Sequence, residues 1–215
     1  MNKRLEKVAE LLDKNDILAD IGCDHGYLGI MAINKGIEYV QFIDNKSGPL
    51  SQAKKNTIHI DENKVEFTLA SGITRLNDKI NTVCICGMGG ELICDILEEN
   101  LSRAKKLNKL ILQPNRNEPS LRKFLMDNNF NIYDEEIIYE NNKYYEIIVC
   151  KYQEEKVIYT EEEVFLGPVL INKKTEIFVN KWNDKLTEFL RIKNVSVDNF
   201  ENDKKIKIIN KILNK

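Results

Sequence analysis

Long hydrophobic runs, proline, tryptophan and histidine are all scarce in this sequence of 215 residues. No apolar run approaches the roughly 20 residues that a helix needs to cross a bilayer, so we expect no membrane-spanning segment. The N-terminal stretch MNKRLEKVAELLDKND mixes charges throughout and lacks the apolar block of a signal peptide. There are no internal repeats and no low-complexity tracts. These absences favour a globular, cytoplasmic protein.

Cysteine occurs in an odd number, five, and mostly within apolar segments, where reduced cysteine packs as a small hydrophobe. The C-x-C spacing of Cys84 and Cys86 is not a zinc spacing, and alternation along a strand places both side chains on one face. We therefore predict structural packing of the cysteines in a reducing compartment and no metal site.

A surplus of positive charge is also missing, because the formal net charge is −2. Binding to nucleic acid depends on cationic groups that neutralise phosphates. The overall balance therefore argues against a nucleic-acid partner unless local patches supply the charge.

What the sequence does contain, between residues 16 and 152, is an alternation of short apolar runs with helical periodicity. A short amphipathic helix, RLEKVAELL, precedes five runs that predict strands: DILADIG, YVQFID, VEFTLA, TVCICG and KLILQPN. Helices follow these strands, and Ser47 is the predicted N-cap of the one after the second strand. This order predicts right-handed crossovers and a doubly wound, parallel α/β sheet. NIYDEEIIYE and KYYEIIVCKY flank Asn141-Asn142, which predicts a terminal antiparallel hairpin.

The composition changes after Tyr152, and two helical stripes follow a connector that contains Gly167-Pro168. The stripes consist of Phe178, Trp182, Leu186 and Phe189, and of Ile206, Ile209 and Ile212 or Leu213. They predict two amphipathic helices that pack antiparallel across a turn at residues 194–199. We expect a domain over residues 1–155 and a helical, coiled-coil-like appendage over residues 156–215. Dimerisation, cover for the core and RNA binding all remain open as roles for the appendage.

The turn after the first strand carries two acids among its glycines: Asp20, Gly22, Asp24, His25 and Gly26. In dinucleotide sites a pyrophosphate lies against helix N-terminal amides, and a carboxylate at that place would repel it. Asp20 and Asp24 therefore favour a ligand that carries positive charge. S-adenosyl-L-methionine (SAM) carries both an ammonium and a sulfonium group. The structural alternative for Asp24 is a helix N-cap.

Two further turns extend this predicted cofactor site. Asp44, 24 positions after Asp20 and followed by Asn45, ends the second strand, where an acid accepts hydrogen bonds from ribose hydroxyls. Ser71-Gly72 follows the third strand, where an adenine ring is expected; backbone contacts alone are the alternative there.

Two last turns lie across the switch in strand order, where a methyl acceptor has to approach. Gly87, Met88, Gly89 and Gly90 follow the fourth strand and leave open space. Gln113, Pro114 and Asn115 follow the fifth, and their amides suit the edge of a nucleobase. Plain turn chemistry is the alternative for the Pro-Asn pair.

Taken together, ADIGCDHGYL, ICGMGGELI, LILQPN, KYYEIIV and LGPVLINKK…FVNKW resemble the TrmK-type bacterial tRNA adenine-22 N1-methyltransferases. The resemblance runs in order over nearly the whole chain. It implies a SAM-dependent, Rossmann-like methyltransferase domain with a coiled-coil-like appendage. It also implies methylation of N1 of the adenine at position 22, in the D arm of tRNA.

The resemblance implies roles only where motifs match. Asp20, Gly22, Asp24, His25, Gly26 and Tyr27 fall on the SAM loop, Asp44 with Asn45 on the ribose acid, Gly87 to Gly90 beside the methyl group, and Gln113, Pro114 and Asn115 on the acceptor pocket. Asp24 and Asn115 are the candidates for stabilising the methylated ring. The family has Asp-Gly where this chain has Ser71-Gly72, a departure at the adenine-ring contact.

With tRNA as partner, the contact surface is expected on local cations: Arg4, Lys7, Lys173, Lys174, Lys181 and Lys185. A solvated helix face is the alternative for these residues, and a monomer is the favoured oligomeric state. The competing functions are a SAM-dependent enzyme that acts on a small molecule or a protein, and a SAM-binding module without activity. Asp24 argues against a third, a nicotinamide-dependent dehydrogenase.

Overall fold

A computed structural model describes residues 2–195 and 200–214, and its centre is a seven-stranded mixed sheet. The strands are β1 (Leu18–Ile21), β2 (Val40–Asp44), β3 (Val65–Leu69), β4 (Thr82–Met88), β5 (Lys109–Pro114), β6 (Phe130–Glu140) and β7 (Lys143–Tyr152). The helices are α1 (Lys3–Glu10), α2 (Tyr27–Asn34), α3 (Ser47–Asn56), α4 (Gly90–Glu99), α5 (Leu101–Ala104), α6 (Glu118–Asp127), α7 (Glu161–Leu166), α8 (Pro168–Lys173), α9 (Glu176–Val195) and α10 (Phe200–Leu213). A 3₁₀ turn spans Glu62–Lys64.

The strand order is β3-β2-β1-β4-β5-β7-β6, and the first five strands in it are parallel. The order reverses between β1 and β4. Ile21, the last residue of β1, is in register with Ile43 and Ile85, so the carboxyl ends of β1, β2 and β4 lie at one level. In open α/β sheets this edge is where ligands bind. The predicted doubly wound sheet is therefore confirmed.

The sheet is covered on both faces, which explains why β1 and β2 are buried along their whole length. Ile21, Ile43 and Ile85 belong to the apolar cluster on one face, and Phe42 and Cys84 to the cluster on the other. Cys86 packs against the same cluster as Cys84, as the alternation predicted. The five cysteines are free thiols.

The terminal hairpin is confirmed, with β7 antiparallel to both β5 and β6. Asn141 and Asn142 have φ values of 51° and 60°, the left-handed conformation that asparagine tolerates best after glycine. The predicted N-cap at Ser47 is wrong. Lys46 is the cap residue of α3, and its amide donates to the Asp44 carboxylate (2.9 Å), so the strand-end acid stabilises this turn.

The C-terminal helices form the two predicted apolar stripes. Lys193 pairs with Asp203 at 2.8 Å, and Lys205 lies over the ring of Phe189, so α9 and α10 run antiparallel. Their shared cluster includes Phe178, Trp182, Leu186, Ile206 and Ile209, together with Ile137 of β6. Residues 196–199 of the predicted turn lie outside the described residues. The division between residues 155 and 156 stays a prediction.

The connection into the appendage passes a tightly packed glycine. Gly167, between α7 and α8, has φ +99°, and a Cβ there would lie 2.7 Å from Glu135 Oε2 and 2.9 Å from Arg122 Nη2. A side chain at this position would therefore push into a buried ion pair. In the described ranges, no helix is long and apolar enough to cross a membrane.

Candidate functional site

A cleft of about 620 Å³ opens at the carboxyl ends of β1, β2 and β4, where the strand order reverses. It brings together these residues that the sequence predicted: Asp20, Gly22, Asp24, His25, Tyr27, Asp44, Asn45, Gly87 and Met88. Three of them are carboxylates, so the cleft is acidic at the position where a dinucleotide site would hold phosphate.

Asp20 is the most deeply buried carboxylate of the cleft. The residue is 4% exposed, and its Oδ2 atom has no hydrogen-bond partner among the described residues. Burial raises the pKa of Asp20 to about 7; the Gly29 amide opposes this rise, and the neighbouring carboxylates of Asp44 and Asp24 add to it. A buried carboxylate without a counter-ion is costly, and a ligand that brings positive charge relieves that cost. The arrangement therefore fits the cationic groups of SAM.

The β1–α2 turn places this acid through an unusual backbone. Gly22 has φ +69°, a conformation that glycine adopts without steric cost, and a Cβ there would lie 2.2 Å from the terminal methyl group of Met88, which would have to move. Asp24 also has positive φ, 47°, and its carboxylate lies 2.9 Å from His25 Nδ1. The N-cap of α2 is Gly26, so the alternative role of Asp24 as the cap is wrong.

Asp44 connects the two neighbouring loops. The residue is buried; its Oδ2 accepts from the Asp24 amide (3.3 Å) and its Oδ1 from the Lys46 amide. Each carboxylate oxygen has further lone pairs for hydroxyl donors. At the mouth of the cleft, the exposed Tyr27 ring stacks on His25, with ring centroids 5.6 Å apart and planes at 9°. Together they form a flat wall.

The far side of the cleft is a bulge in β4. The register with β5 shifts between Cys86 and Met88, and Gly87 between them has φ +78°. Its amide donates to Gln113 Oε1 (3.0 Å), and its carbonyl accepts from Asn115 Nδ2 (2.6 Å). Both polar groups of the Gly87 backbone are therefore held by side chains from the end of β5.

This arrangement corrects the expectation for Gln113 and Pro114. Both are buried, and the Gln113 Nε2 group donates to Pro114 O (2.7 Å) and Asn115 Oδ1 (3.3 Å), while its Oε1 also accepts from Arg4. The amide is turned into the protein because the bulge leaves a buried backbone N–H that needs an acceptor. Gln113 is thus a positioning residue, and of the predicted trio only Asn115 is exposed.

Several predicted glycines and Ser71 do not line the cleft. The Gly90 amide donates to Arg116 O (2.9 Å), which fixes the start of α4 against the loop after β5. Gly72 packs against Ile96 behind the sheet edge. The others outside the lining are Gly26, Ser71 and Gly89. The adenine-ring contact at Ser71-Gly72 therefore gains no support from the cleft.

Helix α1 contributes residues that the motif analysis did not place in the cleft: Asn2, Arg4 and Leu5. Arg4 was expected on the RNA-binding surface, but its guanidinium donates to Gln113 and lies over the Tyr145 ring at 5.5 Å. The signal was available in the spacing, because Arg4 is four residues before the fully buried Val8 and so shares its helix face. Lys46 and Leu92 were also missed.

Metal chemistry has no candidate cluster in the part of the chain that the structure describes, since no three His, Cys, Asp or Glu side chains are grouped there to hold an ion.

The doubly wound sheet with its terminal hairpin, and the acidic cleft at its switch point, define a Rossmann-like methyltransferase. More specifically, the family model for tRNA (adenine(22)-N(1))-methyltransferase matches residues 18–215, and the chain belongs to that family. The family and fold class predicted from the sequence are both confirmed.

Three relatives illustrate the similarity. The tRNA (adenine(22)-N(1))-methyltransferase of Bacillus subtilis is 30% identical over 193 residues, which cover 86% of this chain and 81% of that protein. A candidate tRNA (m1A22) methyltransferase of Streptococcus pneumoniae, solved in complex with SAM, has 33% identity and a TM-score of 0.89, covering 99% of both chains. TrmK of M. capricolum, solved with the product S-adenosyl-homocysteine, has 26% identity and a TM-score of 0.81, covering 99% of this chain and 95% of that one.

Proposed function

We propose that this protein transfers the methyl group of SAM to N1 of the adenine at position 22 of tRNA, in the D arm. The observation that carries the proposal is the buried Asp20 carboxylate, whose Oδ2 atom has no hydrogen-bond partner among the described residues, in the cleft of a chain from this family. Bound SAM supplies an electrophilic methyl group on a sulfonium centre.

The cofactor-binding residues form two sets, one for each part of SAM. Asp20 and Asp24 face the positively charged methionine end, and Asp44 with Asn45 takes the ribose hydroxyls. Support comes from their common position in one cleft and from the raised pKa of Asp20, which burial causes. The His25–Tyr27 wall shields the mouth of the cleft.

Methyl transfer requires little proton chemistry from the protein. Adenine N1 keeps an in-plane lone pair at neutral pH, so alignment is the main task, and orientation effects reach roughly 7–11 kcal/mol. Gln113 and Asn115 hold the Gly87 backbone that borders the reacting groups. The exposed Asp24 carboxylate would take up a proton of the exocyclic amine, and the exposed Asn115 amide oxygen would stabilise the cationic ring. The nucleotide swings out of its stack at a cost of a few kcal/mol.

The contact surface for tRNA differs from the set of cations expected from the sequence. Lys181 is buried against Glu146 (2.6 Å), so its expected role as an exposed phosphate contact is wrong. Lys7, Lys173 and Lys185 are paired with carboxylates at 2.6–2.7 Å. Of the expected lysines, only the half-buried Lys174 forms no ion pair within residues 2–195 and 200–214, so we expect the surface to draw on other cations as well. We also infer that the protein is a monomer and that it acts in the cytoplasm. The free thiols support the reducing compartment.

The decisive experiment incubates the protein with an unmodified tRNA transcript and methyl-labelled SAM, and then maps the labelled nucleotide. We expect 1-methyladenosine at position 22 and no label in a matched transcript that carries guanine there. Label at another position, or on proteins or small molecules instead of tRNA, would overturn the proposal.

A further inference from the structure

We infer that a second cleft, between the terminal hairpin and the appendage, binds an unstacked nucleotide of the substrate RNA beside the adenosine that is methylated. The inference rests on the proposed function, because it takes RNA as the substrate. The second cleft has a volume of about 460 Å³ and lies between the loop after β5, the start of β7 and helix α9.

The two clefts share one wall. Asn115 lines the second cleft, and its side chain donates to the carbonyl of Gly87, which lines the first (2.6 Å). Tyr145 likewise lines the second cleft while Arg4, which lines the first, lies over its ring. A nucleotide in the second cleft would therefore lie next to the site of methyl transfer.

Five aromatic residues line the second cleft, among polar and charged neighbours: Tyr144, Tyr145, Phe165, Trp182 and Phe189. All except Trp182 are half-buried, so part of each ring remains accessible. Phe165 and Trp182 are tilted at 57° with centroids 5.0 Å apart, which leaves no parallel stack between them. Aromatic faces of this kind stack on bases without regard to sequence, and each stacked base contributes roughly 1–3 kcal/mol.

The charges around the second cleft suit a phosphate. Arg116 and Lys143, both exposed, line its mouth, and neither forms an ion pair with any residue of 2–195 or 200–214. Lys181 and Lys185 also line the cleft, but carboxylates already neutralise them. Glu146 and Glu118, which line the cleft too, lie 2.6 and 3.7 Å from Lys181, and Glu188 lies 2.7 Å from Lys185. In a chain with net charge −2, an aromatic cleft with two uncompensated cations fits an anionic nucleotide.

The test is a double-mutant cycle between the ring of Tyr144 and a base of the RNA. Tyr144→Leu keeps apolar bulk but removes the stacking face, while Tyr144→Phe keeps the ring and loses only the hydrogen bond to Asp184 (2.7 Å). We expect Tyr144→Leu to lower kcat/KM for tRNA roughly 5- to 150-fold and Tyr144→Phe to leave it near the parent value. SAM affinity should stay within about twofold in both variants, since SAM binds in the other cleft.

The RNA arm uses transcripts with an abasic residue at one of the two nucleotides flanking position 22. With the parent protein, one of these transcripts should lower kcat/KM by the same factor as Tyr144→Leu does on the intact transcript. The Tyr144→Leu variant should show no further loss of kcat/KM on that abasic transcript. Independent, multiplying losses would overturn the inference. So would full activity of Tyr144→Leu on the intact transcript.

The charge arm combines Arg116→Ala with Lys143→Ala and compares the pair with Lys64→Ala, an exposed lysine on the remote 3₁₀ turn. The pair should weaken tRNA binding and reduce the salt dependence by about two phosphate contacts, and Lys64→Ala should do neither. Selective loss of binding to an acidic peptide, with RNA binding intact, would assign the cleft to a protein partner and overturn the inference. A parent protein that binds tRNA through this cleft but leaves position 22 unmethylated would refute only the proposed function.

Discussion

Two groups of buried carboxylates in this protein have the same chemistry and opposite surroundings. Glu135 and Glu146 lie under the appendage, where Arg122 bonds both and the Lys181 ammonium lies 2.6 Å from Glu146. Glu135 also accepts from the Val169 amide at 2.9 Å. Asp20, near the carboxyl end of β1, is also buried, at 4% exposed, but it forms no ion pair within residues 2–195 and 200–214.

The difference appears in the proton affinities. Burial opposes ionisation of Glu146, but Arg122 and Lys181 outweigh it, so the pKa of Glu146 lies below its usual value. At Glu135, which has Arg122 as its cation but no lysine, burial outweighs the opposing Arg122 charge and raises the pKa above its usual value. Burial dominates at Asp20 and raises its pKa to about 7. A buried carboxylate whose counter-ions come from the chain depends on them to keep its charge, whereas one without an internal counter-ion is a candidate site for a cationic ligand.

The largest expected effect is in the paired group. Arg122→Met would leave two buried carboxylates without their shared cation, and we expect the free energy of unfolding to fall by roughly 3–5 kcal/mol. Urea denaturation measures this loss. The triple variant that adds Glu135→Leu and Glu146→Leu should recover most of it, because it removes the unpaired charges. A loss below about 1 kcal/mol for the single variant would erase the contrast between the two groups.

The next effect concerns the unpaired group. Asp20→Asn removes the charge and keeps the shape, so SAM binding should weaken by roughly 10- to 150-fold while the free energy of unfolding stays level or rises. Calorimetric titration with SAM and urea denaturation measure the two quantities. Glu146→Gln is the matched control: it should lower the free energy of unfolding rather than the affinity for SAM. Unchanged SAM affinity in Asp20→Asn would refute the role given to this carboxylate.

The pH dependence of SAM affinity provides a further test of the role of Asp20. A raised pKa near 7 means that Asp20 is protonated below neutrality, and a cationic ligand favours the ionised form. SAM affinity should therefore be full above about pH 8 and fall by up to tenfold per unit below about pH 6. The Asp20→Asn variant should not show this dependence. An identical pH profile in parent and variant would assign the titration to another group.

The smallest effect is expected for the outer ion pairs. Lys173 pairs with Asp134 and Glu136 at 2.6 Å, but these side chains are about one-third exposed. Lys173→Met should therefore cost at most about 1 kcal/mol of the free energy of unfolding. A loss as large as that of Arg122→Met would mean that burial does not distinguish the two networks.

Local patterns were sufficient for much of the fold. Helix α2 begins at Tyr27, directly after the glycine turn, and follows β1 as the alternation of strands and helices predicted. The turn at Asn141-Asn142 follows from the conformational tolerance of asparagine alone. Asp20, Asp24 and Asp44 were found because each lies at the end of a strand or in the turn after it, and strand ends converge at one edge of the sheet.

The remainder depends on partners far away in the sequence. Gln113 faces inward because of the Gly87 bulge on a neighbouring strand, and no local pattern encodes that bulge. Lys181 looks like one more lysine on an amphipathic helix until β7 places Glu146 beneath it. Side chains whose role is set by such distant contacts need the tertiary structure before they can be assigned.

The network of Arg122, Glu146 and Lys181 also bears on how the protein can be divided. A fragment that stops after residue 155 would keep the arginine and both glutamates but lose the lysine, and it would lay Ile137 open to water. We expect such a truncated sheet to be aggregation-prone rather than a smaller working enzyme. The sheet and the appendage are therefore coupled by this ion network. An appendage exchanged between relatives would have to bring a cation that matches Glu146.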